Sequence, residues 1–163
     1  MDKSEINNQA EKYFQKIKHY CAYSERSHYE VKEKLYSFGL YKIKVEELMA
    51  RLIEENFLNE ERYAKAFARG KFNQNKWGKI KIEYELKQKR VSSYNIKIGL
   101  KEIDAEEYKK VLQRSATEKW KALKNEQYIN CQAKTTRYLL QKGFENDLVQ
   151  QAVKNLREAQ SKK

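Results

Sequence analysis

The chain has 163 residues, with no proline, five glycines and a formal net charge of +12 at pH 7. Because internal proline breaks helices, its absence favours an all-α fold, and the length suits one or two domains or a short array of repeats. The sequence shows no apolar run of transmembrane length, no signal-peptide core at its start and no metal-ligand spacing around its two cysteines, so we expect a cytoplasmic protein without a membrane partner or disulfide scaffold.

The first predicted unit begins with an amphipathic helix. Its apolar residues recur at helical spacing on one face, namely Ile6, Ala10, Tyr13, Phe14, Ile17 and Cys21. Ser27 and Glu30 have the spacing of a capping box, in which each side chain accepts a hydrogen bond from the other residue's backbone N–H. The second helix is therefore predicted to begin just after Ser27, and a third helix follows it.

The second and third predicted units also begin at capping residues. Asn59 is a good N-cap and is followed by acidic residues in the first turn, while Leu58 and Tyr63 occupy the hydrophobic-staple positions around it. Asp104 and Glu107 repeat the capping pattern. The apolar stripe that follows them comprises Tyr108, Val111, Leu112, Ala116, Trp120 and Leu123.

A helix-stop pattern occurs three times, at offsets of 51 and 53 residues. The aligned positions are Val31, Leu35, Gly39 and Leu40, then Ile82, Leu86, Arg90 and Val91, then Thr135, Leu139, Gly143 and Phe144. In a Schellman motif one residue after the helix is left-handed, and the next packs back on the last turn. We therefore predict a positive φ at Gly39 and Gly143. At Arg90 the same conformation would cost about 1 kcal/mol relative to glycine.

The recurring pattern predicts three tandem three-helix repeats, at residues 1–58, 59–103 and 104–163. The downstream positions support this register, because Val45, Leu48, Met49 and Leu52 align with Ile96, Gly99, Leu100 and Ile103, and with Val149, Ala152, Val153 and Leu156. Each triplet buries only a narrow stripe, so neighbouring repeats must stack to complete a core. We expect an elongated, curved, right- or left-handed array.

Basic side chains concentrate in the middle of the sequence. Residues 1–60 carry 10 basic and 11 acidic side chains, residues 61–101 carry 12 and 3, and residues 102–163 carry 13 and 9. This distribution favours a polyanionic partner bound through phosphates, and the shortage of base-reading side chains favours DNA binding without sequence specificity. The candidate interface to nucleic acid or a partner protein comprises Lys65, Arg69, Lys71, Lys76, Trp77, Lys79, Lys81, Lys87, Lys89 and Arg90.

Trp77 has two open interpretations. Its indole stacks on a base, or it packs between helices, and packing is the favoured interpretation. Elsewhere the residues do not form a catalytic pattern. His28 falls within the capping box, where it is predicted to be solvated, Cys21 lies on an apolar helix face, and Cys131 is ambiguous. We therefore expect neither enzymatic activity nor a metal or other cofactor.

Several segments resemble the RecX family. They are residues 20–27, 31–40, 52–64, 67–69, 77–78 and 82–91, and the third unit matches more loosely through Leu139, Gly143 and Phe144. Asn59-Glu60-Glu61-Arg62-Tyr63-Ala64 and Trp77-Gly78 are the most specific pieces. The sequence departs from the family at Arg90, where family members often have glycine.

This resemblance implies a cytoplasmic bacterial protein of recombinational DNA repair and the SOS response. The family binds within the groove of RecA–DNA filaments and inhibits recombinase and ATPase activity, so the implied partners are the RecA filament and DNA, and we expect the chain to act as a monomer. Two alternatives stay open from the residues alone. One is a helix-turn-helix DNA-binding protein that acts without a recombinase, and the other is a helical adaptor that binds no nucleic acid.

Overall fold

The structure is a computed structural model that describes residues 2–162, and this part of the chain is all-α without β-strands. Its nine helices are α1 (Lys3–Tyr23), α2 (His28–Ser37), α3 (Lys42–Glu54), α4 (Glu60–Asn75), α5 (Lys79–Gln88), α6 (Ser93–Leu100), α7 (Ala105–Ala122), α8 (Tyr128–Gln141) and α9 (Asn146–Ser161). They follow one another as three tandem groups of three helices. The predicted all-α tandem architecture is confirmed.

The chain divides into two compact units. Unit 1 comprises Met1–Ala66 and Leu86–Ile98, and unit 2 comprises Phe67–Glu85 and Gly99–Lys163. Helices α4, α5 and α6 therefore contribute residues to both units. The repeat boundaries expected after residues 58 and 103 are a different division of the chain and stay a prediction.

The core of unit 1 is built from the apolar faces of α1, α2 and α3. Its fully or nearly buried residues are Phe14, Ile17, Cys21, Val31, Leu35, Val45, Leu48, Leu52 and Leu58. Tyr13 and Phe38 stack at the edge of this core, with ring centroids 5.5 Å apart. Ile6, which the sequence pattern places on the same helix face, is 48% exposed, because it lies two turns before Phe14, the first buried residue of α1.

The predicted N-caps are present. Ser27 Oγ accepts a hydrogen bond from Glu30 N at 3.0 Å, and Glu30 Oε2 accepts one from Ser27 N at 3.0 Å, so the capping box is complete. Asn59 Oδ1 accepts from Arg62 N at 2.9 Å, and Asp104 Oδ2 accepts from Glu107 N at 2.9 Å. These bonds satisfy N–H groups that a helix start otherwise leaves unpaired.

The left-handed residue predicted at each helix stop is present in all three copies, and the Schellman hydrogen bond is present in the second and third. Gly39 has φ 85° and Gly143 has φ 94°, and Arg90 takes the same left-handed conformation with φ 58°. The N–H of Val91 donates to Leu86 O at 3.1 Å, and that of Phe144 donates to Leu139 O at 3.3 Å, as the Schellman geometry requires. At Arg90 the helix therefore ends in a left-handed arginine, although glycine would adopt this conformation without steric cost.

The aligned repeat positions share one environment. Leu35, Leu86 and Leu139, which lie one turn before each stop, are fully buried. The positions one turn earlier are fully buried as well, although the third copy carries Thr135 rather than an aliphatic residue. The middle helix of each triplet therefore buries side chains at the same two positions, which explains why the pattern is detectable in the sequence.

Unit 2 contains a close contact between the start of α5 and the end of α8. Gly78 N donates to Lys142 O at 2.7 Å, and Ile80 N donates to Gly143 O at 2.9 Å. A Cβ added at Gly78 would overlap the backbone of Gly143 and Phe144, and one added at Gly143 would overlap Lys81. The two backbones can approach this closely only because both residues are glycine.

We predict that Gly143→Ala destabilises the protein more than Gly39→Ala does. Both positions need a positive φ, which costs alanine about 1 kcal/mol, but a Cβ at Gly39 meets no atom within 4 Å. At Gly143 the overlap adds roughly 1–3 kcal/mol, and Gly78→Ala should show a loss of the same order. Urea unfolding measures the difference, and equal losses at Gly39 and Gly143 would contradict the proposed close contact.

We also predict that Arg90→Gly is more stable than Arg90→Ala by about 1 kcal/mol, the reverse of the order inside a helix. Both variants remove the guanidinium, which lies 4.7 Å from the Tyr29 ring centroid, so their difference isolates the left-handed backbone. The gain of Arg90→Gly over the wild type should be smaller, because no cation then lies over the Tyr29 ring. Thermal unfolding of the two variants is the measurement.

Candidate nucleic-acid interface

The sequence-predicted interface residues are divided between the two units. Unit 1 contains Lys65, Lys87, Lys89 and Arg90, and unit 2 contains Arg69, Lys71, Lys76, Trp77, Lys79 and Lys81. Within each unit the residues can be placed against named neighbours. Whether they contact nucleic acid stays a prediction.

In unit 1 the lysines at positions 65 and 89 form ion pairs. Lys65 Nζ lies 3.1 Å from Glu61 Oε1, and Lys89 Nζ lies 3.2 Å from Glu30 Oε1. The charge count of the sequence missed the second of these, because Glu30 lies far from Lys89 in sequence. Lys87 and Arg90 are exposed, whereas Lys65 and Lys89 are half-buried. On exposure, Lys87 and Arg90 are therefore the better candidates in unit 1 for contacts to phosphates.

In unit 2 two ammonium groups lie over the indole of Trp77. Lys71 Nζ is 4.9 Å and Lys81 Nζ is 4.4 Å from its ring centroid, and the Trp77 side chain is half-buried. Trp77 N also donates to Lys71 O at 3.2 Å. These contacts support the packing interpretation, since cations already cover ring surface that a base would need.

The remaining unit 2 cations differ in exposure. Arg69 and Lys76 are exposed, although Arg69 Nη1 lies 3.6 Å from Glu102 Oε2. Lys76 has φ 58° and its ammonium donates to Asn73 O at 2.7 Å. Lys79 is half-buried, with its ammonium 4.8 Å from the Tyr108 ring centroid. Lys79, Lys81 and Lys89 are half-buried, because their ammonium groups lie over aromatic rings or form an ion pair.

The backbone of Lys79 is held by a buried tyrosine. Tyr108 Oη accepts a hydrogen bond from Lys79 N at 3.0 Å and donates one to Glu145 Oε1 at 2.5 Å. Burial, and then the bond to Glu145, raise the pKa of the Tyr108 hydroxyl far above its ordinary value, so it remains a donor. The ring also packs between Phe72 and Phe144.

Neither cysteine has the character of a nucleophile. Cys21 is buried in the unit 1 core, and burial raises the pKa of its thiol to about 11. Cys131 is buried too, and desolvation likewise raises its pKa. His28 is half-buried rather than solvated, and its Nε2 is enclosed without a hydrogen-bond partner among the described residues. Within residues 2–162, His, Cys, Asp and Glu side chains do not form a metal-binding cluster.

Two family models match the chain. One is described as RecX, second three-helix domain, and matches residues 59–100, and the other as RecX, third three-helix domain, and matches residues 106–153. Together they cover more than half of the sequence. The chain belongs to the RecX family.

Curated relatives and solved structures agree with this assignment. Regulatory protein RecX of Oceanobacillus iheyensis is 23% identical over 138 residues, which are 85% of this chain and 51% of that protein. Regulatory protein RecX of Bacillus cytotoxicus is 24% identical over 152 residues, which are 93% of this chain and 56% of that protein. The chain thus spans about half the length of the curated relatives it matches.

The fold is also shared with solved RecX structures. The crystal structure of RecX from Lactobacillus salivarius superposes with a TM-score of 0.82 at 22% identity, and the match covers 93% of this chain and 98% of that one. A second structure, of regulatory protein RecX, gives a TM-score of 0.79 at 20% identity, covering 92% and 76% of the two chains. At these identities the likeness shows a common fold.

The sequence pieces that most resemble RecX have structural roles in this chain. Arg62 Nε donates to Glu25 Oε1 at 2.5 Å, and its Nη groups donate to the side chain and carbonyl of Asn56, which has φ 63°. Tyr63 and Ala64 are buried in the core, and Gly78 lies against the backbone of Gly143. In this chain, the residues that most resemble RecX therefore stabilise the fold, and their contacts do not by themselves identify a surface for a partner.

We predict that Tyr108→Phe destabilises the protein by roughly 1–3 kcal/mol, because it leaves Lys79 N–H and the Glu145 carboxylate without their shared partner. Tyr84→Phe is the matched control, since Tyr84 lies on α5 and is 59% exposed. Denaturant unfolding at neutral pH measures both variants. A Tyr108→Phe protein as stable as the control would show that this hydrogen-bond pair contributes nothing.

Proposed function

We propose that the chain binds RecA–DNA filaments and inhibits the recombinase and its ATP hydrolysis, and thereby modulates recombinational DNA repair. Membership of the RecX family is the observation that carries this proposal, because the family resemblance implies a regulator of that filament. The curated relatives bear the name Regulatory protein RecX, in keeping with a regulatory role. Since the chain spans about half of their length, the proposal concerns the activity of this chain itself.

The surface chemistry of both units supports a polyanionic partner. Residues 61–101 carry 12 basic and 3 acidic side chains, and Arg69, Lys76, Lys87 and Arg90 are exposed among them. A DNA-containing filament offers regularly spaced phosphates, and each phosphate contact releases bound counterions. Many weak contacts of this kind supply affinity without a deep pocket, and we propose that these cations make them.

Sequence-specific DNA binding by a helix-turn-helix is the competing function. In that class the last helix of a triplet reads bases with side chains such as Asn. The Asn95 amide of α6 instead donates to Glu60 Oε2 at 2.6 Å, and Asn95 N donates to Ser92 Oγ at 3.2 Å. The amide that this helix offers for base reading is thus occupied, which favours binding to the DNA backbone.

The proposal is tested by adding the purified chain to the cognate recombinase on single-stranded DNA. DNA-dependent ATP hydrolysis should fall as the chain is titrated, and the filament should dissociate from the DNA or be arrested. Unchanged hydrolysis at saturating concentration of the chain would rule out this function and leave the independent DNA-binding protein as the remaining candidate.

A charge-removal variant tests the proposed surface. Arg69→Ala and Lys87→Ala are combined with Lys76→Gly and Arg90→Gly, because glycine tolerates the positive φ at the last two positions. DNA affinity and inhibition should weaken. The slope of log K against log salt should fall by about 0.9 for each duplex phosphate that the variant no longer neutralises.

The matched control removes four exposed lysines outside the segment, Lys42, Lys109, Lys110 and Lys154, by replacement with Ala. It changes the net charge by the same amount as the test variant. If the two variants weaken DNA binding equally, only the overall charge matters, and the residues of the middle segment are not the binding surface.

A further inference from the structure

Unit 1 contains a second basic surface that the charge count of the sequence conceals. A cleft of about 690 Å³ opens between α1 and α2, and its cationic lining comprises Lys12, Lys16, Arg26 and Lys34. Tyr20 and Tyr23 also line it, whereas the lining includes no carboxylate. This basic cleft, as we call it, lies in a stretch, residues 1–60, whose basic and acidic side chains number 10 and 11.

The carboxylates next to Lys12 and Arg26 in sequence are engaged elsewhere. Glu11 Oε2 lies 3.3 Å from Arg51 Nη1, and Glu25 Oε1 lies 2.5 Å from Arg62 Nε. Among residues 2–162, the ammonium groups of Lys12, Lys16 and Lys34 have no ion-pair partner. Lys16 Nζ lies 5.8 Å from the Tyr13 ring centroid and Lys34 Nζ lies 5.5 Å from the Tyr20 ring centroid, so their contacts within unit 1 are with aromatic rings. An anion could therefore bind these lysines without first breaking an ion pair of theirs.

Arg26 is held in place for such an anion. Its guanidinium lies 3.9 Å from the Tyr20 ring centroid, and its Nε donates to Tyr20 O at 3.1 Å. Because Nε is used, the Nη groups are left to donate, and their fork geometry matches two oxygens of a phosphate. The fixed side chain loses little rotational freedom when it binds, which favours recognition.

Tyr23 supplies an aromatic surface beside these cations. It is 84% exposed, and its ring centroid is 6.0 Å from the Arg26 guanidinium carbon. An exposed tyrosine is ordinarily a helix-rim residue, but here the ring borders a cleft lined by four cations. Bases stack on exposed aromatic rings when they are not already stacked in a duplex. Phosphate-binding cations next to such a ring are the combination that single-stranded nucleic acid recognises.

We propose that the basic cleft of unit 1 binds single-stranded nucleic acid, with backbone phosphates on Arg26 and the lysines and an unstacked base on Tyr23. This site is distinct from the basic residues of the segment 61–101 and was not among the sequence-predicted residues. It does not rest on the proposed inhibition of a recombinase, because binding is measured with the chain and an oligonucleotide alone.

The first test compares single-stranded and duplex binding by fluorescence anisotropy at low salt. Tyr23→Ala should weaken binding of an eight-nucleotide oligothymidylate about tenfold, as expected when one base stack is removed, and Tyr23→Phe should restore it. Duplex affinity should not change in Tyr23→Ala, because its bases are already stacked. The matched control is Tyr41→Ala in the same unit, since Tyr41 is 87% exposed and lies outside the cleft.

An oligouridylate of the same length distinguishes DNA from RNA as the source of the strand. A tenfold loss of affinity of Tyr23→Ala for either oligonucleotide supports the proposal, and the oligonucleotide that shows the loss identifies the strand as DNA or RNA. If Tyr23→Ala binds both as the wild type does, or if Tyr41→Ala weakens them equally, the stacking site does not exist.

A second measurement uses the unaltered chain and locates the contact. Photocrosslinking to an oligonucleotide that carries 5-iodouracil, followed by peptide mass mapping, should label Tyr23. Labelling confined to residues 61–101 would overturn the proposal. Polyglutamate of equal charge should bind the chain far more weakly than oligothymidylate does. Equal affinity would overturn the proposal, because the cleft would then be a site for acidic protein segments.

Discussion

The contact between the start of α5 and the end of α8 constrains the rest of unit 2. A helix start leaves N–H groups unpaired and a helix end leaves carbonyls unpaired, and here each end satisfies the other. Gly78 N and Ile80 N donate to Lys142 O and Gly143 O, and the N–H between them donates to Tyr108. The positive end of one helix dipole thus meets the negative end of another. Because the backbones touch, the contact admits no side chain at either glycine, and the aromatic cluster around Tyr108 packs beside it.

Left-handed residues follow five of the nine helices within residues 2–162, and three of these residues are not glycine. Asn56, Lys76 and Arg90 have φ values of 63°, 58° and 58°. Each conformation has a cost, and the structure shows what holds it. Arg62 binds Asn56 through two hydrogen bonds, the Lys76 ammonium donates to Asn73 O, and Arg90 lies over Tyr29. Arg62, which belongs to the segment that resembles RecX, therefore stabilises a helix end. Lys76 and Arg90, two cations of the candidate interface, do the same.

The functional proposals follow from how accessible each cation remains after this structural use. Lys65 and Lys89 are half-buried and paired with carboxylates, and Lys71 and Lys81 are half-buried over Trp77. The side chains of Lys87 and Arg90 are more exposed to solvent than these four. In the basic cleft Glu11 and Glu25 pair with arginines, and Lys16 and Lys34 lie over aromatic rings without an ion pair. Counting charges along the chain therefore does not show which cations remain accessible.

The all-α repeat architecture, the N-caps at Ser27, Asn59 and Asp104 and the three helix stops were predictable from the sequence, because they depend on residues a few positions apart. The resemblance to RecX was visible there as well. Hydrogen bonds at Ser27 and Asn59 and positive φ at Gly39 and Gly143 are local consequences of residue type. Interactions between residues distant in sequence became visible only in the folded chain. Glu30 neutralises Lys89, Glu60 occupies Asn95, and Gly78 meets Gly143, and none of these pairs is close in sequence. The exposure of a charged side chain depends on such long-range pairs, so the helices were predictable from the sequence and the set of exposed cations was not.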